Sequence, residues 1–150
     1  APDTIAPSAI SNLALSDVTT SSVKISWTAP GDDGSTGTAS SYDIRYSTAN
    51  ITTTNWGSAT QVTGEPAPLI AGTAQSMTIT GLTINTVYYF AIRTSDETPN
   101  ISGLSNIVNA TTQFSTKFSA NSRVKVTTTA NVRATPSISG TLFVAAIKSF

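Results

Sequence analysis

The stretch Gly81-Leu82-Thr83-Ile84-Asn85-Thr86-Val87-Tyr88-Tyr89-Phe90-Ala91-Ile92-Arg93 constrains the chain more than any other. Beyond Gly81, Tyr88, Phe90 and Ile92 fall on one side of an alternating run, and Tyr89, Ala91 and Arg93 on the other. A period of two is that of a β-strand with one buried face. Tyr88 opens this strand just after a corner that contains Leu82. A tyrosine so placed can bury its ring and return its hydroxyl to the backbone of the corner. This tyrosine corner is a device of Greek-key sandwiches, and the remaining segments can be tested against that architecture.

They fit it. Val23, Ile25 and Trp27 alternate with Lys24, Ser26 and Thr28, and Tyr42, Ile44 and Tyr46 with Asp43, Arg45 and Ser47. Ile10, Leu13 and Leu15 mark a first strand, residues 60–63 a short one, and Met77 and Ile79 another. Leu104 to Thr112 reads as the last strand, with Ile107 and Val108 competing for the inner face, because a slip of one residue exchanges the faces. Between the strands lie turn-forming runs such as Pro30-Gly31-Asp32-Asp33-Gly34 and Gly64-Glu65-Pro66. Residues 49–58 are irregular, with Ile51 and Trp56 as covering residues at the edge of the core. The sum is an all-β, seven-stranded antiparallel sandwich. It occupies residues 9–112, with a linker at 1–8, a second linker at 113–121 and a tail at 122–150.

Composition removes several kinds of chemistry. The chain has neither Cys nor His, so thiolate ligands, a Cys nucleophile and imidazole general bases are excluded. No apolar run approaches the roughly 20 residues of a membrane span. Charged residues make up only 11%. They are unevenly placed: residues 1–112 hold eight carboxylates and three cations, whereas residues 113–150 hold five cations and no acid. Chance in a charge-poor chain and two units with complementary fields both account for this. An acidic body, and a tail without dense basic and aromatic interleaving, argue against nucleic acid as a partner.

Trp27, Tyr42-Asp43-Ile44-Arg45-Tyr46, Leu82 and Thr86-Val87-Tyr88-Tyr89-Phe90 together resemble a fibronectin type III domain. Thr4-Ile5-Ala6-Pro7, Trp27-Thr28-Ala29-Pro30-Gly31-Asp32-Asp33-Gly34 and the close Thr94 to Asn106 resemble its bacterial extracellular members. The resemblance covers residues 7–112; Ile84 stands where many members have Pro. It implies a non-catalytic spacer or adhesion module of a modular secreted or surface protein, not an enzyme. Its partners would be neighbouring domains or identical subunits.

The tail resembles a second family over residues 122–142. Asn131-Val132-Arg133, Pro136-Ser137 and Gly140 are similar to the start of a bacterial SH3-like domain, which implies cell-wall glycan as a ligand. Ala130 departs from that pattern, and the segment is too short to close a barrel alone. The alternative is an assembly tail, in which Arg123, Lys125 and Arg133 dock a basic strand on a neighbouring subunit.

Two further groups are candidate sites. Greek-key connectivity brings Asp32, Asp33, Glu65, Asp96 and Glu97 to one pole. Oxygen-rich clusters suit Ca²⁺, although none of these residues has the spacing of a known calcium loop. Solvated turn acids are the competing reading, favoured because Asp-Gly and Asp-Asp turns arise for backbone reasons alone. Trp56 either stacks on a sugar or partner, or covers the core edge. Paired acids could in principle cleave a glycosidic bond, but no cleft or base is evident in the sequence.

Overall fold

A computed structural model describes residues 3–98 and 100–115. They belong to the first of two units, the second of which starts at Lys117. Seven strands form two antiparallel sheets. They are β1 (Ala14–Ser16), β2 (Ser22–Thr28), β3 (Ser41–Ser47), β4 (Thr60–Gln61), β5 (Ala74–Thr80), β6 (Val87–Ser95) and β7 (Val108–Thr111). One sheet has the order β1-β2-β5 and the other β4-β3-β6-β7.

The alternating apolar residues of both sheets meet in one core. Val23, Ile25, Trp27 and Ile79 come from the three-stranded sheet, and Tyr42, Ile44, Tyr88, Phe90 and Ile92 from the four-stranded one. The Trp27 and Tyr42 rings meet edge to face, with centroids 5.2 Å apart. Phe90 is completely buried, and its strand lies between β3 and β7. The register pairs it with Tyr46 on one side and Val108 on the other.

The chain crosses between sheets from β5 to β6 through the tyrosine corner. Gly81 sits at φ 78°, a left-handed conformation that costs glycine least. The Thr83 amide donates to the Tyr88 hydroxyl at 3.1 Å. The Thr83 carbonyl in turn accepts from Thr112 Oγ1 at 2.6 Å, and Thr112 Oγ1 also accepts from the Thr86 amide at 3.0 Å. The corner is thus held from its own strand and from the chain that follows β7.

The edges are shorter than the alternation suggests. Ile10 and Leu13 are buried as expected, but only Ala14–Ser16 forms a ladder. The segment expected as a long last strand is a strand only over Val108–Thr111. Before it, two serines take over part of the pairing. Ser102 Oγ and Ser105 Oγ accept from the Thr94 and Ile92 amides, each at 2.9 Å. Their own amides donate to the Thr94 and Ile92 carbonyls at 2.8 and 3.0 Å. A side-chain acceptor in place of a carbonyl breaks the ladder geometry while leaving no buried amide unpaired. The choice between Ile107 and Val108 dissolves: Val108 packs on the main core, and Ile107 on a second cluster.

That second cluster covers the outer face of the four-stranded sheet. Ile51, Trp56 and Ala59 fold back over Ala91, with Tyr89, Leu104 and Ile107 around them. Both faces of β6 are therefore buried at its centre, whereas its alternation predicts one.

The lead-in is not a free linker. The Gly34 amide donates to the Ala6 carbonyl at 3.1 Å, and the Ser8 amide to the Gly34 carbonyl at 3.0 Å. This ties residues 6–8 to the β2–β3 loop. That loop is tightly wound: a Cβ on Gly31 would lie 2.1 Å from the Thr36 backbone.

Candidate functional site

The β2–β3, β4–β5 and β6–β7 connections meet at one pole. The Ala71 amide donates to the Gly37 carbonyl at 3.0 Å, and the Ser40 amide to the Ser95 carbonyl at 2.8 Å. The five acids expected there separate into three groups. Asp32 and Glu97 come together with Asp3, with one carboxylate oxygen of each within 4.8 Å of the others. Asp3 was not foreseen, because the lead-in reads as a linker; its place follows from the pairing of residues 6–8 with Gly34. Asp33 lies close enough to act on this group electrostatically.

Asp96 is already occupied within its own loop. It is buried, and its carboxylate accepts from the Thr98 amide at 3.0 Å, the Asn100 amide at 2.8 Å and Asn100 Nδ2 at 2.7 Å. It shapes the β6–β7 turn. Glu65 stands apart, beside Ser40, Tyr42, Pro66 and Pro68.

Crowding raises two of the acids. Desolvation, then the Glu97 carboxylate with Asp33 and Asp3 behind it, holds the Asp32 carboxyl above its ordinary value. Asp33 rises through desolvation and the charges of Asp3 and Glu97. A carboxyl raised on folding binds its proton more tightly in the folded state. Stability therefore falls as pH rises through the raised values, and acidification from neutrality towards the ordinary carboxylate range restores it. Asp32→Asn is expected to raise the melting temperature at pH 7, and the gain should vanish near pH 4, about where a free aspartate takes up its proton. An Asn variant that is less stable at pH 7 would contradict this.

With one oxygen from each, the three carboxylates supply half or less of the six to eight oxygens that Ca²⁺ takes, so their second oxygens, water or backbone would have to complete the shell. In the same melting experiment, a temperature unchanged by millimolar Ca²⁺ leaves protons as the relief of this crowding.

Trp56 does not offer a free ring. It is only 8% exposed, and its burial follows from the fold-back of residues 51–59. The Arg45 and Arg93 guanidinium carbons lie over it at 4.9 and 5.0 Å from the ring centre. Arg45 also donates to the Trp56 carbonyl at 3.1 Å and is held by Asp43 at 2.9 Å. The reading of Trp56 as a stacking platform gives way to that of a covering residue. Arg123, Lys125 and Arg133 lie outside the described residues.

The arrangement can be compared with known proteins. The fibronectin type III domain model matches residues 7–111. Chitinase A1 of Niallia circulans is 39% identical over 115 residues, which is 76% of this chain and 13% of that protein. Exoglucanase B of Cellulomonas fimi is 32% identical over 112 residues, 75% of this chain and 8% of that protein. The chain thus spans a small part of the length of either relative. Among solved structures, titin domains align with a TM-score of 0.52 at 21% identity, covering 72% of this chain and 32% of theirs. The FN1–FN3 domains of chicken CNTN1 align at 0.51 and 17%, covering 73% and 32%. The strand order, the tyrosine corner and the match over residues 7–111 place this chain in the fibronectin type III family.

Proposed function

We propose that residues 7–111 serve as a non-catalytic spacer module of a larger extracellular protein that acts on polysaccharide. The observation that carries this reading is the pair of bacterial relatives, a chitinase and an exoglucanase, in which the matching segment is 13% and 8% of the whole. A segment so small within two enzymes of different name is best explained as a unit that separates or presents other domains.

The polar groups support the same reading. Glycoside hydrolases hold two carboxyl groups about 5 to 9.5 Å apart across a sugar-sized cleft. Here Asp3, Asp32 and Glu97 crowd together, and none of them lines the clefts beside β5, along Ser8 to Asn12 or beside Ser40. The clefts beside β5 and along Ser8 to Asn12 contain no acid, and the one beside Ser40 and Tyr42 holds Glu65 alone. Trp56, the aromatic best suited by sequence to stack on a sugar ring, is covered by its own chain.

A pelleting assay separates a spacer from a carbohydrate-binding module. The full chain is expected to stay in the supernatant with insoluble chitin, cellulose and purified peptidoglycan. Saturable co-pelleting with any of them would replace the spacer reading with a binding one.

A further inference from the structure

Among the described residues, strand β5 presents one long sheet edge without a partner. It pairs there with β2 on one side only. The other three edge strands are short: three residues in β1, two in β4 and four in β7. β5 has seven, Ala-Gln-Ser-Met-Thr-Ile-Thr, and its register with β2 runs residue for residue without a bulge. Edge strands are normally protected by charge, proline, a bulge or brevity, and β5 has none of these. Its start is partly covered: the Leu69 amide donates to Gln75 Oε1 at 3.1 Å, and Gln75 Nε2 donates to the Ala67 carbonyl at 2.9 Å. Ser76 to Thr80 remain free of such cover among the described residues. Beside them opens a cleft of about 170 Å³ in which Tyr46, Val62, Met77 and Ile79 supply the apolar surface.

We propose that this edge pairs antiparallel with β5 of a second copy, joining two three-stranded sheets into one of six. Self-pairing brings no like charges together, since residues 74–80 are uncharged. It also keeps the acidic poles apart. The Ala74 end lies by the loop that carries Asp32 and Asp33, as the bonds from Gly72 to Ala29 and from Ala71 to Gly37 show. The Thr80 end leads into the tyrosine corner. Antiparallel pairing sets each acidic pole beside the opposite pole of the second copy. A contact through one patch on both copies closes as a twofold dimer and does not propagate. Five residues span only about 17 Å, so the interface is small and the dimer weak.

Charge exchange on the exposed side chains of β5 tests this. The full chain would be compared with Ser76→Lys/Thr78→Lys and Ser76→Glu/Thr78→Glu by sedimentation equilibrium up to millimolar concentration. Circular dichroism would confirm that each is folded. The wild type is expected to move from 15.5 kDa towards twice that mass. Each variant alone should stay monomeric, because like charges face each other across the new pair. Mixing the Lys and Glu variants should restore association. A wild type that stays monomeric overturns the proposal. So does a variant that associates like the wild type, which would assign association to another surface, or a mixture that stays monomeric.

Discussion

Phe90→Ala is expected to lose about 3–5 kcal/mol of unfolding free energy, the usual range for emptying a buried aromatic site. Domains of this kind have only about 5–15 kcal/mol in total, so the loss removes between a fifth and all of the stability, roughly. The size follows from position. Phe90 is completely buried on the central pair of the four-stranded sheet, where its ring lies 6.4 Å from both Tyr46 and Tyr88. Tyr88 belongs to the tyrosine corner and Tyr46 to β3. Tyr88 cannot collapse into the space without breaking its corner bond with Thr83. Val87→Ala, on the same strand, supplies the contrast. Val87 is 41% exposed, and its truncation is expected to stay within about 0.5 kcal/mol. Urea unfolding of both variants measures the difference. A Phe90→Ala cost below that of Val87→Ala would mean that the alternation of β6 is misassigned.

Ser102→Ala combined with Ser105→Ala is the second large effect. Each serine oxygen is the acceptor for one buried amide of β6, Thr94 or Ile92. Alanine fills much the same space but removes the acceptor, and water has little access to either site, since both serines and both strand residues are buried. A buried amide left without a partner costs about 1–3 kcal/mol. The two sites lie on one strand pair, so their costs are expected to couple. Hydrogen exchange gives a local reading beside the global one: the Ile92 and Thr94 amides should lose protection more than those of β2. A double variant as stable as the wild type would show that these amides have another acceptor.

The two cases show what a sequence displays and what it conceals. Phe90 was legible because a half-buried strand repeats every two residues, and β2, β3 and β6 all carry that repeat in sequence, over residues 23–28, 42–47 and 88–93. The corner was legible because Gly81, Leu82 and Tyr88 have distinct chemical duties. Ser102 and Ser105 were not, since a side-chain oxygen that replaces a carbonyl leaves no period behind. The burial of Trp56 and Ala91 was hidden for another reason: it depends on an irregular segment folding back across the sheet. At the acidic pole, Greek-key connectivity placed Asp32 beside Glu97. It could not reveal that Asp3 joins them, that Asp96 serves its own turn, or that Glu65 stands elsewhere. Connectivity fixes which loops share a pole, whereas the direction of each side chain is set by turns only a few residues long.

The spacer role proposed above requires that this sandwich carry no glycan-cleaving activity of its own. The direct measurement is release of reducing ends from chitin and cellulose by the purified full chain. No release above buffer is predicted at any pH from about 4 to 8, which spans both the ordinary carboxylate pKa and the raised values of catalytic carboxyl groups. Sustained release that Asp33→Ala abolishes while leaving the fold intact would contradict the account.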